Sequence, residues 1–191
     1  MASGAPLQNG FRFFLTYPGY CNADKETPYE PFGFFDNTST FWSNVTHFLQ
    51  PSFCFTKPAC TRRPQVDGSE IEGLALFRGG VDPVWEDPVN TDGGHWQASV
   101  TPWERIDDVW DALVMAVVGN VEENNDVVTG IRAVDKTKKG RVEYRVEVWF
   151  STEHPLFSFM NLDVNWKWVS HKAAIDAFVA RAKSKPPLPP H

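Results

Sequence analysis

Ile106, Val109, Trp110, Leu113, Val114, Val117 and Val118 recur at helical spacing and make one apolar stripe. A stripe of this kind has to be buried against a second layer. Thr101 stands as a cap, Pro102 as the first helical residue and Glu104 three places after the cap, which is the pattern of a capping box. Gly119 is expected to stop the helix. The second layer follows in sequence. Residues 127–134 and 141–150 read as paired strands around the polar turn 135–140. Alternation puts Arg145, Glu147 and Trp149 on one face of the second strand, and Val146, Val148 and Phe150 on the other.

The remaining elements fit the same mixed architecture. Residues 11–17 are apolar and aromatic and read as a strand; 18–31 are rich in Pro, Gly and polar residues and read as a loop; 32–35 form a short second strand. Phe41, Trp42, Val45, Phe48 and Leu49 are spaced as a helix, with Asn37 or Thr38 as its cap and its end before Pro51. Residues 51–73 hold Pro51, Pro58 and Pro64 and read as an inserted flexible loop. Residues 74–77 and 96–100 are further strands. Ala174, Ile175, Phe178, Val179 and Ala182 predict a last amphipathic helix, followed by a Pro-rich tail over 184–191 suited to polyproline II. The expectation is one α+β domain over 1–191, without internal repeats.

Charge and cysteine usage exclude several classes. The net charge of −6 argues against broad, sequence-blind nucleic-acid binding, which needs Lys and Arg along the phosphates. Cys21, Cys54 and Cys60 are few and odd in number, and read as reduced thiols in the cytoplasm or nucleus. No secretory leader or membrane-spanning run is evident, so the two Asn-x-Ser/Thr sequons at Asn37 and Asn44 read as chance. His47, His95, His154, His171 and His191 are scattered, with no nucleophile–base spacing. Cys21, His47, Cys54 and Cys60 match no common zinc spacing, and Glu122, Glu123 and Asp126 read as a solvated loop rather than a magnesium site. No cofactor, no metal and no catalysis are expected.

Residues 77–87, Phe-Arg-Gly-Gly-Val-Asp-Pro-Val-Trp-Glu-Asp, carry the functional signal. Trp85 offers a flat π-face on a loop of turn formers, and Glu86 beside it offers a charged acceptor. One carboxylate can accept both N1–H and the exocyclic amine of a guanine, and a charged acceptor makes such bonds about twice as strong as neutral ones. A cationic base adds a cation–π term of about 0.5–2 kcal/mol per ring. The common guanine with that charge is the 7-methylguanine of an mRNA cap. Asp87 is expected to stabilise the turn.

The chain resembles the translation initiation factor 4E family from about Pro6 to Phe150. The resemblance rests on Val84-Trp85-Glu86-Asp87 followed by Gly93-Gly94-His95-Trp96. It also rests on Ala5-Pro6-Leu7-Gln8-Asn9, Phe35-Asp36 with Phe41-Trp42, Val109-Trp110-Asp111-Ala112-Leu113 and Glu147-Val148-Trp149. It implies a curved, mostly antiparallel sheet with helices on the convex face and a cap slot on the concave side. Trp85 would stack on the base, Glu86 read its edge and Trp149 contact the methyl group. Lys136, Arg145 and Arg132 would supply charge for the phosphates, with His95 where the family often has arginine. The family's second stacking tryptophan has no counterpart, since its spacing lands on Lys25. Tyr29 is the choice here, with Tyr20 and Phe32 as rivals.

On the convex side the resemblance implies a partner surface of Trp42, Pro6, Thr38 and Met115, gripping a helix of a 4G-like scaffold or a 4E-binding repressor. Trp110 is expected in the core. Asp111 and Thr38 depart from the apolar residues usual there. The chain is expected to act as a monomer, away from membranes, in translation initiation. The alternatives are a cap-binding repressor or storage paralogue, an interaction module working through Trp42 without cap binding and, last, a cap-cleaving enzyme. The region after Ser151 departs from the family pattern, and a divergent member of the kinetoplastid type fits these departures.

Overall fold

The computed structural model describes residues 6–17, 29–48, 50–55, 71–119, 125–138, 141–155, 160 and 162–184. Seven strands form one curved antiparallel sheet: β1 (Pro6–Thr16), β2 (Tyr29–Asn37), β3 (Gly73–Arg78), β4 (Gly94–Val100), β5 (Val128–Asp135), β6 (Tyr144–Phe150) and β7 (Lys167–Ser170). Their spatial order is β2-β1-β3-β5-β6-β4-β7. The helices are α1 (Thr38–Phe48), α2 (Pro51–Phe55), α3 (Ile106–Val118) and α4 (His171–Ser184). The α+β class expected from the sequence is the one observed.

Strand alternation divides the sheet into two chemically different faces. Phe13, Leu74, Leu76, Ile131, Val146, Val148 and Phe150 point to one face and share a core with Phe41 of α1, Cys54 and Phe55 of α2, and Leu113 and Val117 of α3. Trp110 is fully buried in that core. Phe14, Ala75, Phe77 and Trp149, one residue out of step, point to the other face and meet Tyr29, Val81 and Trp85. Much of the aromatic content is structural. Phe13 stacks on Phe32 at 5.7 Å and on Phe41 at 6.0 Å between ring centroids. Phe32 therefore belongs to the helical face.

Several local expectations need correction. β2 is longer than the 32–35 expected, because Tyr29 to Asn37 pair along β1. The segment 51–73 is not wholly irregular: Pro51 suits a first helical turn, and α2 buries Pro51, Cys54 and Phe55 at i, i+3 and i+4. Asp107 of α3 accepts the backbone N–H of Ser52 at 2.9 Å, and Asp111 accepts Gln50 Nε2 at 2.9 and 3.1 Å, which fastens this segment to α3. The capping box at Thr101 does not form. Pro102 is extended without a side-chain cap, Trp103–Arg105 make a 3-10 turn, and α3 starts at Ile106. Asp107 and Asp108 in the first turn of α3 complement the helix dipole instead. Gly119 keeps right-handed geometry at φ −72°, so the left-handed stop is not used. At α1 the expected cap is present, since Asn37 Oδ1 accepts the Thr40 N–H at 2.8 Å.

The helix α4 contacts β4 and β7, and its Ile175 and Phe178 reach the Trp149 face of the sheet. It thus departs from α1–α3, which cover the opposite face. Residues 56–70 of the insertion, Tyr20, Lys25, Cys21, Cys60 and the tail from 185 lie outside the described residues.

Candidate functional site

The chain leaves β3 at Gly80, whose φ of +85° favours glycine, and returns into β4 at Gly94. Side chains hold the intervening loop in place of regular secondary structure. Asn90 is fully buried and donates Nδ2 to the carbonyls of Asp82 at 2.9 Å and Val84 at 3.0 Å. Asp87 accepts the N–H of Asp82 at 2.9 Å and of Val89 at 2.8 Å, the turn role expected of it. Thr91 donates to the Asp87 carbonyl at 2.9 Å. A Cβ at Gly93 would strike the Phe150 carbonyl, so glycine is required where the loop closes onto the sheet.

This loop forms one wall of a cavity of about 270 Å³. Tyr29, Trp85, Glu86 and Trp149 all line it, together with Arg132, Thr16, Tyr17, Glu72, Pro83, Val84, Ile175 and Phe178. Tyr29 is fixed by its hydroxyl, which donates to Asp82 Oδ2 at 2.7 Å, and by an edge contact with Phe14 at 5.7 Å. Phe32, its rival, is on the other face. Trp85 is half-buried, and its ring stacks on His171 at 6.3 Å and 23°.

Trp149 is only 1% exposed. Its Nε1 donates to Glu147 at 2.9 Å, and Arg145 Nη2 donates to the same carboxylate at 2.6 Å. Burial raises the Glu147 carboxyl, but His95, Arg132, Arg145 and the Trp149 N–H outweigh it and bring it down to about 2. The base of the cavity therefore rests on an ionised, buried carboxylate.

The basic residues expected at the phosphates divide. Arg132 lines the cavity; its Nη2 donates to Thr16 Oγ1 at 3.1 Å, and its buried Nε has no hydrogen-bond partner among the described residues. Lys136 is outside the lining, 2.5 Å from Glu72, which is part of it. Arg145 is engaged with Glu147 outside the lining. His95 is buried behind Trp149, ring on ring at 5.3 Å and 15°. Burial lowers its pKa, so it carries no charge near neutral pH.

Sequence reasoning missed Asn90, His171, Ile175 and Phe178 as parts of this site. Ile175 and Phe178 were legible as one stripe of a helix, but nothing in the sequence says which face of the sheet that helix covers. His171 carried no motif. Its Nδ1 lies 2.7 Å from the Asn90 carbonyl and its backbone N–H donates to Gly93 at 3.1 Å.

On the opposite face, Pro6 pairs with Asn37 at the end of β2, Thr38 opens α1, and Trp42 packs edge-on against Phe41 at 5.1 Å. Met115 of α3 is 53% exposed. Among the described residues no group of three or more metal-ligating side chains converges, and no helix is long and apolar enough to cross a membrane.

The assembled cavity suits a flat ligand with donors on one edge and an anionic tail: aromatic walls, the Glu86 carboxylate, a second carboxylate at Glu72 that is paired with Lys136, and the Arg132 guanidinium. Comparison with known proteins agrees in fold. The chain is similar to solved structures of schistosome eIF4E complexed with m7GpppA and 4E-BP (TM-score 0.67, 21% identity, 91% of this chain and 92% of that one). It is likewise similar to Caenorhabditis elegans eIF4E-3 with the 4E-binding protein Mextli (TM-score 0.65, 20% identity, 91% and 96%). Eukaryotic translation initiation factor 4E-4 of C. elegans is 29% identical over 110 residues, covering 57% of this chain and 45% of the relative. The Arabidopsis thaliana isoform 4E is 30% identical over 96 residues, covering 49% and 48%. The chain spans about half the length of the curated relatives it matches. The family model described as "Eukaryotic initiation factor 4E" matches residues 6–175, and the chain belongs to that family.

Proposed function

We propose that this protein binds the 7-methylguanosine cap of mRNA in cytoplasmic translation initiation, as a binding protein and not an enzyme. The observation that carries the reading is the convergence of Trp85, Tyr29, Trp149, Glu86 and Arg132 on one cavity. The methylated base stacks on Trp85 and Tyr29, where its positive charge strengthens the contact. Glu86 accepts N1–H and the exocyclic amine, and Trp149 forms the floor. Arg132 brings its guanidinium charge to the cavity wall for the phosphates. Lys136 joins it by exchanging Glu72 for phosphate, and Arg145 adds positive potential from behind. Tyrosine is a weaker cation–π partner than tryptophan, so affinity is lower than two tryptophans would give.

Binding of a scaffold or repressor helix is assigned to the other face, over Trp42, Pro6, Thr38 and Met115. There the pairing of Gln50 with Asp111 places a polar contact on a face that otherwise offers apolar anchors. That feature favours, as the second reading, a repressor or storage form that takes a different partner motif. Retention on immobilised 7-methyl-GTP, with elution by free 7-methyl-GTP but not by GTP, tests the cap reading. Passage through the resin, or equal elution by both nucleotides, contradicts it.

A further inference from the structure

His95 and His171 are buried side by side, with His95 Nδ1 3.0 Å from His171 Nε2. A carbonyl oxygen only accepts, so His171 Nδ1, 2.7 Å from the Asn90 carbonyl, must carry a hydrogen. In a neutral ring that leaves His171 Nε2 as an acceptor, and His95 Nδ1–H is then its donor. One hydrogen bond fixes both tautomers and both ring planes.

The pair touches each tryptophan assigned to the base. His171 stacks on Trp85 at 6.3 Å and stands 4.4 Å from the Trp149 ring, and His95 stacks on Trp149 at 5.3 Å. Through the Asn90 and Gly93 carbonyls, His171 also ties α4 to the end of the Trp85 loop. Apolar rings would fill the same space without hydrogen bonds. Two imidazoles give instead a contact with one shared proton, which breaks only when both rings are protonated and N–H is set against N–H.

We propose that His95 and His171 are a neutral positioning pair that holds Trp85 and Trp149 at the spacing the ligand needs, so that affinity depends on their shared hydrogen bond. The inference rests on the cap reading of the cavity. The groups facing the pair are the Asn90 carbonyl from the loop, Gln97 from β4, Arg132 from β5, and Arg145 and Glu147 from β6. Burial is the largest influence on both rings and lowers both, His171 to about 4. The pair is thus intact at neutral pH, keeps its hydrogen bond after one added proton, and opens only when both rings are protonated, at or below about that value.

The test compares wild type with His171→Phe and His95→Phe, each of which keeps a ring and removes the hydrogen bond. Dissociation constants for 7-methyl-GTP are measured from pH 7.5 to pH 4. At pH 7 the variants should bind about tenfold more weakly, the order expected when a buried hydrogen-bond partner is lost. The ratio of variant to wild-type constants should begin to shrink as pH nears 4, where wild type starts to lose the pair. A ratio that stays constant with pH, or equals one at pH 7, overturns the proposal. Ligand-free protein gives a second readout: a protonated imidazole stacked on an indole quenches its emission. Emission lost on Trp85→Phe substitution should fall through the same pH window in wild type and not in His171→Phe; no such fall also overturns it. Failure of wild type to prefer 7-methyl-GTP over GTP at any pH would mark failure of the cap reading instead, and the ligand-free readout still decides whether the pair positions Trp85.

Discussion

The indole N–H of Trp149 points at the carboxylate of Glu147, 2.9 Å away, and both residues are 1% exposed. They stand two positions apart on β6, so the pleat itself brings them to one face. The buried charge fixes the plane of Trp149 beneath the cavity. The folded carboxyl lies near 2, below its ordinary value. Its contribution is therefore complete above about pH 4.5, and is lost as pH falls toward 2.

Replacing the charge tests that relationship. Glu147→Gln should cost about 1–3 kcal/mol at pH 7, where the hydrogen bonds from Arg145 and Trp149 and not a neutral His95 hold the charge. Between about pH 4.5 and pH 2 wild type should lose that advantage, and the two unfolding curves should converge. Thermal melts across the range check it; curves that stay parallel would show that the carboxylate is not held down in the folded state.

Asn90→Ala removes both donors that pin the Trp85 loop. The carbonyls of Asp82 and Val84 then each lose one partner and keep only the backbone N–H of Val84 and of Asp87, at a cost of about 1 kcal/mol. Affinity for 7-methyl-GTP should fall with it, and Asn90→Asp, which keeps the oxygen but not the donors, should do no better. Urea unfolding and ligand titration measure the two effects.

Phe178 behaves differently, because it is 68% exposed and still lines the cavity. Phe178→Ala should change stability by less than about 0.5 kcal/mol. It should weaken 7-methyl-GTP binding by about 1 kcal/mol, the lower end of a stacking contact. Calorimetry separates the two; unchanged affinity would place α4 outside the site.

On the opposite face, Trp42→Ala should abolish capture of a 4E-binding helix while leaving retention on 7-methyl-GTP resin unchanged. Loss of both together would mean that the substitution unfolds the protein instead of removing a docking ring.

Much of this could be read in the sequence where periodicity and chemistry coincide. The alternation of Arg145, Glu147 and Trp149 announced a shared face, and they prove to be hydrogen-bonded to one another on it. Trp85 and Glu86 stood out because turn formers surround them. A cap at Asn37 or Thr38 was legible, and Asn37 provides it. What escaped depends on distance in space. His171 and Asn90 are 81 positions apart, and only the packing of α4 brings them together. The capping box failed although its spacing was right, because extended geometry at Pro102 carries Thr101 away from the first turn of α3. The helix α2 was hidden by the prolines of the segment 51–73, although Pro51 suits a helix start and Cys54 and Phe55 complete an apolar face.

The most direct test of the central claim is a tryptophan-fluorescence titration with 7-methyl-GTP and with GTP, on wild type, Trp85→Ala and Glu86→Ala. The account predicts stronger binding of the methylated nucleotide by wild type and loss of binding in both variants. Equal response to the two nucleotides, or full binding by Glu86→Ala, would contradict recognition of a charged base through its edge.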